Sequence, residues 1–257
     1  MASKELKAAL EAAQAAGEVV RGYLQRGYTV HTKPDESPVT EVDLKAEECI
    51  REVLMRHCPG YGFFGEETYR HGLTAENLWL VDPIDGTKSF IRGTPFFSTQ
   101  IALMRAGRLV VGVSLAPAYG EIAWAEEGGG AWLNDQPIRV SAIAELKSAS
   151  LSTGNLKSLT RSSRWQRLGE LIQRVNRFRG YGDFVHYHLL ARGSLDAVIE
   201  SDVNILDIAA LTVIVREAGG TFTDLDGGDV GLGTTTVLAS NGALHAPLLE
   251  ALRQHEH

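Results

Sequence analysis

The chain has 257 residues, 44% of them hydrophobic and 22% charged, with a formal net charge of −7 and a pI near 5.6. That length and apolar content suit one large α/β domain, or two closely packed halves, around an ample core. The acidic balance excludes a basic footprint for nucleic acid or an anionic membrane, and no apolar run approaches the roughly 18 residues that span a bilayer.

Residues 4–26 carry Leu6, Leu10, Ala13, Val20 and Leu24 near helical spacing, which predicts a first helix. Its Glu-containing amphipathic pattern differs from the apolar segment of a signal peptide. "HTKPDESPVTEVD" (31–43) reads as a turn-rich loop. Thr40 then opens a second helix with Val42, Ala46, Ile50 and Val53 on one face, and Asp43 completes a capping-box-like pattern. Cys49 and Cys58, the two cysteines of the chain, lie in or at the end of that helix. At ~1.5 Å rise per residue they stand roughly 13 Å apart, too far for a disulfide. Reduced thiols and a cytoplasmic location are therefore expected.

"GYGFFGEETYRHGLTAEN" (60–77) reads as a loop leading into a buried strand at 78–81. From Ser98 to Leu133 the chain has the pattern of a β-meander, with turns at "RAGR", "AYG" and the glycines of "EEGGGAW". The second half alternates. A strand near 149–153 precedes a helix through Trp165, Leu168, Leu171, Ile172 and Val175. A strand near 177–180, a helix near 183–192, a strand at 195–199 and a helix opening at about 206 follow. Short strands in "GGTFTDLDG" and "TTVLAS" precede a last helix at 242–253. Strands in a run, then strands alternating with helices, predict layered sheets and helices in two halves, 1–144 and 145–257.

"WLVDPIDGTKSF" (79–90) drives an apolar strand straight into Asp82 and Asp85. A turn Asp before a helix would account for either residue alone. Their position at the C-terminal edge of a sheet strand is also where α/β proteins hold ligands. Pro83 delays the following helix and leaves the Ile84 carbonyl available to a metal, while Gly86 and Thr87 offer backbone N–H groups suited to an anion. Glu66 and Glu67 in "GEE" have solvated side chains as their plain reading. Asp207 in "NILDIAAL" has a helix-dipole role, and Asp43 has capping.

Taken together, these carboxylates on loops and element ends, with no His or Cys among them, form a hard-cation set suited to Mg²⁺. "DLDGGD" (224–229) lacks the later ligands of a calcium loop and reads as a turn. His186 and His188 are too close in sequence to share a helix face as a zinc pair. The closing "HEH" reads as a frayed tail. No P-loop occurs, and Ser152 has no nucleophile elbow.

"GEE", "WLVDPIDGTKSF" and "LDIAALTVIVREAGG", in this order and spacing, resemble the inositol monophosphatase-like family of Mg²⁺-dependent phosphatases. The resemblance runs from the Lys33 loop to the final strand and helix. Leu206 departs from the Trp usual before the last aspartate, which bears on packing alone. The resemblance implies an α/β/α/β/α layered sandwich, a homodimer, and two or three Mg²⁺ ions. It implies that Glu66, Asp82 and the Ile84 carbonyl hold the first ion and Asp82, Asp85 and Asp207 the second, with Glu66 beside a third. Gly86 and Thr87 would hold the phosphate, Thr87 with Asp43 would orient the attacking water, and Lys33 would lie in a mobile loop over the site.

"GTKSF", with Lys88 and Ser89, then "RGTPFF", "IALM" and "RGYGDFVHYHLLARGSLDAVIES" resemble the corresponding segments of the family's histidinol-phosphatase branch. Hydrolysis of L-histidinol phosphate is therefore expected, with Asp183 and Glu200 facing the cationic leaving group. Capping a helix is the competing role for Asp183, and packing is the role for His186 and Tyr187. The alternatives are inositol 1-phosphate or 3′-phosphoadenosine 5′-phosphate as substrate, or a non-catalytic partnership with transcription machinery. Neither nucleic acid nor membrane is an expected partner.

Overall fold

A computed structural model describes residues 2–34 and 36–253; the "HEH" tail lies outside them. Helix α1 (Lys4–Arg26) begins at Ser3, whose hydroxyl accepts the Leu6 N–H. Strands β1 (Val30–Thr32) and β2 (Pro38–Thr40) pair as a small hairpin before α2 (Glu41–His57). Next come β3 (Gly62–Gly65), β4 (Arg70–His71), β5 (Asn77–Asp85) and the short α3 (Thr87–Ile91). The meander follows as β6 (Ser98–Arg105), β7 (Arg108–Ala116), β8 (Glu121–Glu126), β9 (Ala131–Leu133) and β10 (Gln136–Ile138). These strands form an eight-stranded sheet in the order β10-β9-β8-β7-β6-β5-β3-β4, antiparallel except where β3 runs beside β5.

The second half contributes β11 (Ser150–Thr153), α4 (Arg164–Ile172), β12 (Arg177–Gly180), α5 (Asp183–Ala191), β13 (Ala197–Ser201) and α6 (Ile205–Glu217). It ends with β14 (Thr221–Thr223), β15 (Thr236–Ser240) and α7 (His245–Leu252). Its five strands form a second sheet, ordered β12-β11-β13-β15-β14.

Apolar faces stack these elements in five layers. The Ala-rich face of α1 and the Ala46–Ile50–Leu54 face of α2 bury Trp79, Val81, Ile101 and Val113 on one side of the large sheet. On its other side Leu80 and Met104 meet α5 and α6, which also cover Val198 and Val237 of the small sheet. Helices α4 and α7 close the far face over Leu151, Ile199 and Leu238. This is the expected α/β/α/β/α sandwich. Helix α6 is apolar almost all round because it is sandwiched between sheets, and Leu206 is buried in that core.

Several elements depart from the sequence reading. The 31–43 and 60–77 loops contain β1–β2 and β3–β4, strands too short to show a period of two. A further hairpin strand, β10, follows Asn134 and Asp135, which both take positive φ (46° and 62°) as a tight primed turn demands. The helix expected to reach Val175 stops at Ile172. Strand β5 does not end at Val81 but continues through Asp85. Gly182, not Asp183, caps α5, with no side-chain capping bond.

The extension of β5 matters most. Its pairing with β6 steps from Asp82↔Gln100 to Asp85↔Ser98, three residues against two, so an extra residue bulges out at Pro83–Ile84. Residues three apart on a regular strand point to opposite faces. The bulge turns Asp85 to the side of Asp82, and Thr99 Oγ1 secures it by donating to the Pro83 carbonyl at 2.8 Å. The close approach of α6 to β7 sets the other side of this region, since a Cβ on Gly112 would lie 2.3 Å from the Ala210 carbonyl oxygen. Gly112→Ala should therefore cost roughly 1–3 kcal/mol through overpacking. Thermal unfolding should show a fall of at least about 2 °C; an unchanged Tm would mean that α6 can move away freely.

Candidate active site

Three elements deliver carboxylates to one place. Asp82 and Asp85 come from the β5 bulge, and Asp207 from the first turn of α6. One oxygen of each lies within 4.8 Å of the others. Glu66 enters from the loop after β3, stitched to β5 by its N–H on the Val81 carbonyl at 3.1 Å, and its side chain reaches Asp82.

Each carboxylate is oriented by backbone or hydroxyl donors. Asp82 Oδ1 accepts the Ile84 N–H at 3.0 Å, and Asp85 Oδ2 accepts from Ser98 at 3.2 Å. Asp207 stands third in α6, where its oxygens accept the Asn204 N–H at 2.9 Å and the Asn204 amide at 2.6 Å. Asn204 Oδ1 in turn accepts the Leu206 N–H, so Asp207 completes a capping box while facing the cluster. The same duality holds for Asp43. Its Oδ2 accepts both the N–H and the hydroxyl of Thr40, at 2.7 and 2.5 Å. Its Oδ1 is left for Thr87 Oγ1 at 3.2 Å. Thr87 has one hydroxyl proton and two acceptors, Asp43 and the Ile84 carbonyl at 3.0 Å. Between them, Gly86 takes a left-handed turn (φ 85°, ψ 33°) to start α3, and a Cβ there would meet the Phe96 carbonyl oxygen at 2.4 Å.

Lys33, in the turn of the β1–β2 hairpin, pairs with Glu67 at 2.7 Å and stands 3.6 Å from Glu66. Burial and the neighbouring charge of Glu66 push Glu67 up to about 7, against the pull of Lys33. A residue that the sequence reading passed over, Glu47, holds this loop. It is fully buried and accepts the N–H groups of Glu67, Thr68 and Tyr69 and the Thr68 hydroxyl, at 2.8–2.9 Å. A Cβ on Gly65 would strike its Oε2 at 2.3 Å. The signal was there to read: Glu47 adjoins Ala46 on the apolar stripe of α2.

Asp183, first in α5 with φ 47°, lines a small cavity with Asp85, Asn155, Tyr187, Glu200 and Asp207. Burial and the charge of Glu200 push it up to about 6, while His186 and a hydrogen bond from Ser89 hold it down. Glu200 is nearly enclosed. It accepts from the Asn155 N–H at 2.9 Å, His186 Nε2 at 3.1 Å and the Tyr187 hydroxyl at 2.7 Å. Burial alone would raise Glu200, but His186 and these bonds outweigh it and keep its pKa below the usual range. His186 and Tyr187, read as packing, are buried and also hold Glu200.

Electrostatics decide what the cluster can do. Burial first, then the neighbouring carboxylates, push Asp82 and Asp85 well above the carboxylate range. Asp207 rises to about 7 through burial and the charges of Glu66 and Glu200, against the Asn204 N–H. Among the described residues, Asp82, Asp85 and Asp207 form no ion pair with Lys or Arg. An all-oxygen, acceptor-only set with this repulsion fits a hard divalent cation.

The model of the inositol monophosphatase family matches residues 1–257. The histidinol-phosphatase of Mycobacterium tuberculosis is 42% identical over 260 residues, covering 98% of this chain and 99% of that protein. The inositol-1-monophosphatase of Rhizobium meliloti is 37% identical over 221 residues, covering 84% of this chain and 83% of that protein. Among solved structures, the extragenic suppressor protein suhB of Bartonella henselae superposes with a TM-score of 0.89 at 32% identity, covering 99% of this chain and 100% of that one.

A carboxyl whose folded pKa is raised binds its proton more tightly folded than unfolded. Its stabilising contribution is complete below the unfolded value near 4 and is lost as pH rises through the folded value. For Asp207 that window closes at about 7. In chelator, Asp85→Asn should raise Tm above that of the parent at pH 8, and the gain should vanish near pH 5. A lower Tm for Asp85→Asn at pH 8 would show that the cluster does not repel.

Proposed function

The chain belongs to the inositol monophosphatase family, and from that premise we propose a Mg²⁺-dependent phosphatase acting on L-histidinol phosphate. It is a phosphoric monoester hydrolase. The convergence of Asp82, Asp85 and Asp207, with no Lys or Arg paired to them among the described residues, carries the metal assignment. Two or three Mg²⁺ ions would be held by Glu66, Asp82 and the Ile84 carbonyl, by Asp82, Asp85 and Asp207, and by Glu66 again. Bound divalent cations lower the pKa of a water and stabilise charge on the leaving alkoxide.

The chain's own groups do the rest. Gly86 and Thr87 present backbone N–H groups to the phosphate. Thr87 Oγ1, donating toward Asp43 Oδ1, has lone pairs free to accept from the attacking water, and Asp43 is the terminus for that proton. Lys33 closes the hairpin turn over the Glu66–Glu67 loop. Asp183, bonded to Ser89, receives the ammonium or imidazolium of histidinol, and Glu200, which lines the same cavity, adds negative charge. The 42% identity to a histidinol-phosphatase over nearly the whole chain supports this substrate. The proposal includes a homodimer, a cytoplasmic setting and a division at 144/145. No helix among the described residues is long and apolar enough to cross a membrane.

Chelation should abolish hydrolysis and Mg²⁺ restore it, with L-histidinol phosphate preferred over inositol 1-phosphate and 3′-phosphoadenosine 5′-phosphate. A charge-assisted bond of ~1.5–3 kcal/mol corresponds to roughly one to two decades in kcat/KM. Asp183→Asn should erase much of that preference while p-nitrophenyl phosphate turnover stays nearly unchanged. Equal losses on both esters would make Asp183 structural, and a preference for inositol phosphate would defeat the substrate assignment. Thr87→Ala and Asp43→Asn should each lower kcat strongly, and their double mutant should be markedly non-additive. An Asp43→Asn enzyme with lower Tm and intact kcat would reduce Asp43 to its capping role.

A further inference from the structure

Behind Asp85 runs a chain of polar side chains that no step above uses. Ser98, Gln100 and Ser114, on the adjacent strands β6 and β7, are at most 1% exposed. Gln100 Nε2 donates to Ser98 Oγ at 2.8 Å and to Ser114 Oγ at 3.1 Å. Both N–H groups of the amide are thereby used, so each serine oxygen accepts and must place its own proton elsewhere. Ser98 places it on Asp85 Oδ2 at 3.2 Å, and Ser114 on His188 Nε2 at 2.9 Å. With Nε2 accepting, His188 carries its proton on Nδ1 and donates to Glu121 Oε2 at 3.3 Å. Arg192 pairs with the other Glu121 oxygen at 3.1 Å. Burial holds the His188 pKa low, in keeping with a neutral ring.

The reversed amide does not work. With its oxygen toward the serines, Gln100 would draw the Ser98 proton away from Asp85 and leave two buried N–H groups without acceptors. In the orientation present, Gln100 Oε1 is left without a protein partner. Burying an unpartnered carbonyl works against stability, so an apolar side chain of equal length should fold at least as well. Its two donated bonds, made while its own oxygen goes unpartnered, point to a role in orienting Ser98.

We propose that Gln100 is a positioning residue that holds the Ser98 hydroxyl on Asp85 Oδ2, so that Asp85 presents its other oxygen to the cation in one orientation. Through Ser114 the same amide connects to His188 of α5, the helix that begins with Asp183. The inference rests on the reading of Asp85 as a metal ligand.

The test is calorimetric titration of Mg²⁺ into chelator-stripped parent, Asp85→Asn, Gln100→Met, Ser98→Ala and the Ser98→Ala/Gln100→Met double variant, with kcat, KM and Tm for each. Gln100→Met and Ser98→Ala should each weaken Mg²⁺ binding by about 10-fold or more, within the range known for residues that orient metal ligands. Gln100→Met should keep its Tm and, at saturating Mg²⁺, a KM for the ester within about threefold. The double variant should bind no more weakly than Ser98→Ala, because both changes remove one interaction. Parent-like Mg²⁺ affinity in Gln100→Met, or fully additive losses in the double variant, would overturn the proposal. Parent-like binding by Asp85→Asn would instead defeat the metal-ligand reading beneath it. If Gln100→Met does not fold, Ser98→Ala decides, and unchanged affinity there contradicts the proposal.

Discussion

Like-charge repulsion among Asp82, Asp85 and Asp207 is the constraint around which the molecule is arranged. Their oxygens lie within 4.8 Å of one another, with Glu66 close to Asp82. Left to themselves in water these groups would separate; here backbone and hydroxyl donors fix each one from behind. The Ile84 N–H holds Asp82, Ser98 holds Asp85 and Asn204 holds Asp207. Those donors orient the carboxylates without neutralising them, which leaves the cluster protonated or in want of a cation.

The layers of the fold serve that arrangement. The sheet on which α1 and α2 lie supplies the bulged strand, α6 enters between the two sheets with Asp207 in its first turn, and α5 brings Asp183 to the same cavity. The cavity is thus built from both halves of the chain, and Ser89, in α3, bonds to Asp183 across them. A leaving group with positive charge would meet carboxylates on that wall, while the phosphate would face the cations and the start of α3.

Much of this was legible in the sequence. The long helices, the meander and "DPIDGT" carry local signals in periodicity and turn chemistry, from which sheets and helices in layers followed, while the five-layer order came from the family resemblance. Capping stood against a role at the site for Asp43, and a helix-dipole role against metal binding for Asp207, yet each completes a capping box while Asp43 also reaches Thr87 and Asp207 also joins the cluster. A carboxylate has two oxygens with several lone pairs, so one function does not exclude the other. The two-to-four-residue strands β1–β4 and β10 escaped because such segments have no period to read. Glu47 holding the 65–69 loop, and Gln100 linking Asp85 to His188, escaped because their partners lie up to dozens of residues away in sequence.

The central claim is that the crowded carboxylates keep protons which a divalent cation displaces. Calorimetric titration of Mg²⁺ into the metal-free protein, repeated in buffers of different ionisation enthalpy, counts those protons directly. With Asp207 titrating at about 7 and Asp82 and Asp85 raised well above the usual range, binding near pH 6.5 should release at least about one proton per protein. The number should fall as pH rises. Mg²⁺ binding with no proton release anywhere between pH 6 and 8 would contradict the account.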